Sequence, residues 1–231
     1  MYSAARRVCY LHLLKKSALS YMQFMRLQEH QAGHLRLKLY APDPEQVKEK
    51  WNRQQQAGDT DPFPYWTQVW PSALAMVEFL LKHPEYVREK EILELAAGLG
   101  LPSLAVADKA RKICCSDYLP EAVETMRMSV QYNGLKNVEC RLLNWNELPE
   151  ELEPDVLLLS DINYDPSGFN VLHEVIKKFL NKKATVLLST PQRLMGAPFI
   201  NRILPWCIHS EEVVVEHRGM KVPINIMVLV L

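Results

Sequence analysis

Glu91-Ile-Leu-Glu-Leu-Ala-Ala-Gly-Leu-Gly100 is the stretch on which the reading of this chain turns. Ile92 to Leu95 reads as a short buried strand, and Gly98 and Gly100 follow as a bend where backbone approaches a ligand without Cβ obstruction. A helix comes next. Pro102 suits its first turn, Ser103 lies beside it, and Leu101, Leu104, Ala105 and Ala107 are apolar for packing on a sheet. Strand, glycine bend and helix together make a nucleotide-type cradle, at the strand-end edge where open α/β sheets bind ligands. Two other pieces end hydrophobic runs in the same manner: Asp117, and Asp161-Ile-Asn-Tyr164.

Working outward, strands and helices alternate: strand Ile92 to Leu95, helix Pro102 to Ala110, strand Lys112 to Ser116, helix Pro120 to Asn133, strand Val138 to Leu143. Strand Val156 to Ser160, helix Asn170 to Asn181 and strand Ala184 to Ser189 continue the series. Such alternation builds βαβ units around a parallel sheet covered on both faces. Pro198 to Trp206 reads as helical, after which Glu211 to Glu216 and Val222 to Leu231 form two strands joined through Arg218-Gly219, close enough to pair antiparallel. The expected fold is therefore α/β and doubly wound: a Rossmann-like seven-stranded sheet, mostly parallel, with an antiparallel C-terminal strand.

Upstream, Gly33 to Tyr40 alternates Leu35, Leu37 and Leu39 with polar residues, as a half-exposed strand does, and Glu45 to Gln56 reads as a solvated helix or loop. Asp61 to Ser72 packs three prolines and four aromatics into a shaped loop. From Ser72 a helix with a wide apolar face runs until Pro84.

The 231 residues carry 27 basic and 27 acidic side chains, so no global field draws in nucleic acid or anionic lipid. Neither partner is expected. No apolar run reaches the roughly 20 residues of a membrane-spanning helix. Five cysteines, Cys9, Cys114, Cys115, Cys140 and Cys207, form no C-x-x-C, and the seven histidines form no zinc pattern. A reducing, cytoplasmic setting without a metal fits best, with Cys114 and Cys115 as small core residues. Residues 1 to 28 hold Arg6, Arg7, Lys15, Lys16 and Arg26 among serines, and the first acid is Glu29. That composition is similar to an organelle transit peptide, in which case mitochondrial import is expected; an amphipathic helix, a basic arm, or a true start at Met22 or Met25 are the competing readings.

Gly98 and Gly100 alone leave the ligand open. Asp117, 17 residues beyond Gly100, suits the two hydroxyls of an adenosine ribose. Gly98-Leu-Gly-Leu-Pro-Ser103 also approximates the G-x-G-x-x-G of nicotinamide dehydrogenases, but Pro102 removes an amide donor from the helix end that would hold a pyrophosphate.

Three segments together resemble the class I, seven-β-strand S-adenosylmethionine-dependent methyltransferases, and within them the family 16 protein lysine methyltransferases. They are Val69-Trp-Pro-Ser-Ala73 before the core, Leu93-Glu-Leu-Ala-Ala-Gly-Leu-Gly100 as the cofactor loop, and Asp161-Ile-Asn-Tyr164 as an Asp-x-x-Tyr signature. The likeness runs from about residue 65 to the C-terminus and implies 65–231 as the methyltransferase domain, preceded by the basic extension of residues 1–28 and a cover of residues 29–64. It implies S-adenosylmethionine as cofactor, with Glu94, Gly98 and Gly100 around its methionine end and Asp117 on its ribose. Tyr118 would flank the adenine, Asn144 its edge and Trp145 its face, with Trp70 closing over the cofactor. Asp161 would orient the substrate nitrogen and attract a cationic side chain, Tyr164 would wall the channel, and Gln192 and Arg193 would lie at the same edge. Two positions depart from the family pattern: Ala96 stands where a first glycine is usual, tolerable if its φ is negative, and Asn144 where an aspartate is common. The implied activity is N-methylation of lysine side chains of a protein. A small-molecule amine methyltransferase and a degenerate methyltransferase-fold binding protein remain the alternatives.

Overall fold

The computed structural model describes residues 21, 23–32 and 34–231, so most of the expected N-terminal extension lies outside the described residues. Strands β1 (Met25–Ala32) and β2 (Leu35–Pro42) pair antiparallel as a separate hairpin. The expected boundary at residue 28 falls inside β1, a strand that the polar, irregular pattern of Arg26 to Gln31 did not announce. Helix α1 (Pro44–Gln56) follows, capped by Asp43, whose side chain accepts the Glu45 and Gln46 amide N–H groups. The hairpin docks on the domain through Leu39 and Ala41, buried in the core cluster that holds Val123 and Met126, and through polar bonds such as the Tyr40 N–H to Ser129 Oγ at 3.0 Å and Asn133 Nδ2 to the Lys38 carbonyl at 2.8 Å.

The domain is one seven-stranded sheet of β3 (Glu91–Leu95), β4 (Lys112–Asp117), β5 (Val138–Leu142), β6 (Val156–Ser160), β7 (Thr185–Pro191), β8 (Cys207–His217) and β9 (Met220–Leu229), in the order β5-β4-β3-β6-β7-β9-β8. The first five run parallel, and β9 enters antiparallel between β7 and β8. The doubly wound expectation holds. Helices α2 (Pro71–Lys82), α3 (Leu101–Ala105), α4 (Pro120–Tyr132), α5 (Phe169–Asn181) and α6 (Ala197–Ile203) complete it.

Both faces of the central strands β3, β6 and β7 are buried, which is why these read as largely apolar runs, whereas the edge strands β5 and β8 are partly exposed. Ile92, Val156, Leu158, Leu187 and Ile226 enter one core with α2 and α4, while Leu93, Leu95, Leu157, Leu188 and Met227 enter the other with α5 and α6. Alternate residues thus serve opposite layers. The last two strands turn through Arg218 and Gly219 at φ +53° and +74°, the left-handed pair a two-residue hairpin needs. Pro223, inside β9, pairs with Val214 of β8 but lies beyond Ile224, where pairing with β7 ends. Its missing N–H therefore breaks no bond to β7.

Two expectations need correction. The helix expected over Pro102 to Ala110 stops at Ala105, and the chain continues in turns to β4. Ala96 does not take a negative φ: it sits at +52°, directly after β3. A β-carbon in that conformation costs about 1 kcal/mol. Ala96→Gly is accordingly expected to raise unfolding stability by about 0.5–1 kcal/mol. Urea denaturation checks this, and a destabilised variant would show that the methyl group makes a packing contact worth more than the strain.

Candidate active site

The sheet reverses its winding between β3 and β6, because β4 and β5 lie on one side of that pair and β7 on the other. The crevice beyond the carboxyl ends of such a pair is where open α/β sheets take ligands. Each strand leaves the sheet through a left-handed residue, Ala96 after β3 and Asp161 after β6 (φ +56°). The two loops diverge there and form the sides of the site.

On the β3 side, Asp117 ends β4 at 4% exposure and ties the cofactor loop to its own strand. Its Oδ2 accepts the Gly98 N–H at 3.0 Å and its Oδ1 the Leu119 N–H at 3.0 Å. Each oxygen keeps a second lone pair for a ligand hydroxyl. Burial raises this carboxyl above its ordinary range, opposed by the amides of Leu119, Gly98 and Tyr118. Glu94 is 1% exposed, and its Oε2 accepts both the N–H of Ser103, at 3.0 Å, and its Oγ, at 2.5 Å. The carboxylate thus caps the first turn of α3, a task that Ser103 makes intelligible and the glycine spacing does not reveal. Burial pushes Glu94 up to about 7, against the Ser103 bonds and with Asp117 adding to the rise.

The glycines have different reasons. At Gly100 (φ +73°) a Cβ would stand 2.8 Å from Cys115 Sγ, so packing under the loop as well as backbone conformation excludes any side chain. Gly98 (φ +57°) lies against the Trp66 backbone, at ordinary contact distance for an added Cβ. Trp66, buried in the loop before α2, shapes this side of the site, and nothing in its sequence neighbourhood distinguishes it from the other aromatics of that loop.

A groove continues past the ends of β4 and β5, lined among others by Tyr118, Leu119, Pro120, Leu142 and Asn144. Tyr118 and Asn144 are therefore brought together, both exposed; Asn144 Oδ1 accepts the Asn146 N–H at 3.0 Å. Trp145 is not among the groove's lining residues and packs against the core cluster that includes Leu143 and Phe179. On the β6 side, Tyr164 is 48% exposed and its ring meets Tyr65 at 5.5 Å, which in turn meets Trp70 at 5.8 Å. Trp70 Nε1 donates to the Tyr65 carbonyl at 2.8 Å. Tyr65 is the aromatic that joins the expected lid to the Asp-x-x-Tyr loop. Asp161 is held by Arg193 through two bonds, and Gln192 turns away to Glu212 at 3.4 Å.

Two buried carboxylates stand together here with no lysine or arginine paired to either among the described residues. Burying acids without a cation is costly unless a ligand supplies one. S-adenosylmethionine carries a sulfonium, an ammonium and a ribose diol, and this donor set fits it. Among the described residues no group of histidines, cysteines and acids is placed to hold a metal ion.

Comparison with known proteins agrees. The family model described as "Lysine methyltransferase" matches residues 64–204. The human histone-arginine methyltransferase METTL23 is 28% identical over 152 residues, 61% of this chain and 80% of that protein. The human electron transfer flavoprotein beta subunit lysine methyltransferase is 30% identical over 132 residues, 56% of this chain and 50% of that one. This chain spans about half the length of most of the curated relatives it matches. Among solved structures, the Thermus thermophilus 16S rRNA N2 G1207 methyltransferase RsmC, in complex with AdoMet and guanosine, shares the fold at TM-score 0.59 and 16% identity, over 89% of this chain and 50% of that chain.

The fold and the matching family model thus place the chain among the class I, S-adenosylmethionine-dependent methyltransferases. The chain belongs to the lysine methyltransferase family.

With Glu94 at about 7, a cationic cofactor binds best once that carboxyl has lost its proton. Affinity for S-adenosylmethionine should therefore rise several-fold between pH 6 and pH 7.5, and Glu94→Gln should flatten the slope. Titration calorimetry across that range decides it; an unchanged slope in the variant would remove Glu94 from the cofactor's surroundings.

Proposed function

We propose that this protein transfers methyl groups from S-adenosylmethionine to the side-chain amine of lysines in another protein, with residues 65–231 as the methyltransferase domain. The observation that carries the reading is the placement of Asp161 and Tyr164 at the end of β6, across the crevice from Asp117 and Gly98, in a chain of the lysine methyltransferase family. S-adenosylmethionine, when bound, supplies a carbon already activated by its sulfonium. What the protein must add is geometry: a neutral amine held in line, in a site closed to water.

The proposed division of labour follows the two sides of the crevice. Asp117, Glu94, Gly98 and Gly100 hold the ribose and methionine side of the cofactor, while Tyr118 and Asn144 flank the adenine. Tyr65, Trp70 and Tyr164 form an aromatic wall beside the sulfur, able to receive an alkylated amine on its ring faces. Burial raises the Tyr164 hydroxyl above its ordinary value, with Tyr65, Asp117, Asp165 and Asp161 adding to the rise. It stays protonated through neutral pH and serves as a hydrogen-bond donor. Asp161 orients the acceptor nitrogen.

The free cysteines Cys114, Cys115, Cys140 and Cys207 support a reducing compartment such as the cytoplasm as the setting. No helix among the described residues is long and apolar enough to cross a membrane.

Radiolabelled methyl incorporation into a lysate, split into protein and small-molecule fractions, tests the substrate class. Counts are expected in protein, and amino-acid analysis should place them on lysine rather than arginine. Counts confined to small molecules would overturn the proposal. Tyr164→Phe should lower transfer by tenfold or more while changing cofactor affinity less than twofold; equal loss of both would put Tyr164 on the cofactor instead.

A further inference from the structure

Asp161 does not stand free at the acceptor side. Its side chain is 9% exposed, and Arg193, leaving β7, meets it as a fork: Nη1 to Oδ1 at 2.5 Å and Nη2 to Oδ2 at 3.1 Å. The loops that carry the pair are fixed to each other. The Asp161 N–H donates to the Ser189 carbonyl at 2.9 Å, and Asn163, 2% exposed, packs so close to Gly196 that a Cβ added there would stand 3.2 Å from its Nδ2. Asp161 also sits at φ +56°, a conformation that persists only where the surroundings hold it.

A guanidinium fork matches a carboxylate's two oxygens, whereas a lysine ammonium is a point charge with no such match. An incoming ammonium would meet only the remaining lone pairs of a carboxylate whose charge the guanidinium already offsets. The expected task of attracting a cationic side chain therefore does not suit Asp161 as it is held.

We propose that Arg193 is a positioning residue that orients Asp161 and cancels its charge, so that the acceptor lysine is received as a neutral amine. This rests on the lysine reading above. A neutral amine is the species that attacks: its lone pair forms the new N–C bond, the C–S bond electrons return to sulfur, and the proton then leaves the alkylated nitrogen. A bare carboxylate beside that nitrogen would stabilise the unreactive ammonium instead. Among the described residues, the charged or titratable groups that act on Tyr164 beside this point are Tyr65 from the loop before α2, Asp117 from β4, and Asp165 and Asp161 of its own loop. Glu212 of β8 is engaged by Gln192.

The test compares wild type with Arg193→Met, Asp161→Asn, the double variant and Arg193→Lys. Two readouts are needed: the unfolding equilibrium, and the pH dependence of methyl transfer to the heat-treated protein fraction of a lysate, with radiolabelled S-adenosylmethionine. The unfolding cycle should show the pair coupled by about tenfold or more in the folding constant. In Arg193→Met the unpaired carboxylate favours the ammonium, so the acid limb of kcat/KM should move up by about one pH unit. In Asp161→Asn the unpaired guanidinium should move the residual activity's limb down, and the double variant should return it to the wild-type position. Arg193→Lys should lower the rate with the limb in place, and it carries the test if Arg193→Met does not fold. Additive stabilities, or acid limbs that coincide in both single variants, would overturn the proposal. If wild type transfers nothing to protein, the lysine reading fails, and the unfolding cycle alone then decides whether Arg193 holds Asp161.

Discussion

Burying two carboxylates side by side without a cation is the constraint on which the rest of this structure depends. Asp117 and Glu94 lie at the ends of adjacent parallel strands, and neither is neutralised by a lysine or arginine among the described residues. What makes their burial tolerable is backbone and hydroxyl hydrogen bonding: Gly98 and Leu119 on one, Ser103 on the other. Those bonds shape the loop. Among the described residues no lysine or arginine offsets the two acids, and the cationic cofactor of the proposed reaction would.

Across the crevice the chain treats an acid in the opposite way. Asp161 has its charge cancelled by Arg193. One side of the site is thus electrically hungry and the other is neutral, which suits a reaction that binds a cationic donor and an uncharged acceptor. The sheet's switch point makes this division possible, since the loops after β3 and β6 diverge from neighbouring strands.

Much of the architecture was legible because the central strands are buried on both faces, so runs such as Val156 to Leu159 announce parallel strands, and Arg218-Gly219 announces its hairpin. Helix α3 was overdrawn because Val106, Ala107 and Ala110 are apolar for the core they fill in a turn, and apolarity alone does not tell turn from helix. Strand β1 was missed because Arg26, Gln28 and Glu29 carry little periodicity; its partner β2 and tertiary docking make it a strand. In the site, Asp117 and Asp161 could be found because polar residues ending apolar strands stand out. The fork of Arg193 on Asp161 joins residues 32 positions apart, and the cap that Glu94 places on Ser103 is equally a matter of spatial contact. The sign of φ at Ala96 could not be read from an alanine, whose ordinary preference is the reverse.

The most direct measurement is a crystal structure of the complex with S-adenosylhomocysteine, the demethylated form of the cofactor. The account predicts the ribose hydroxyls on Asp117, the adenine in the groove between Tyr118 and Asn144, and the sulfur facing Tyr164, with the Arg193 fork on Asp161 intact. A ribose bound away from Asp117, or a sulfur turned from the Asp161 loop, would contradict it.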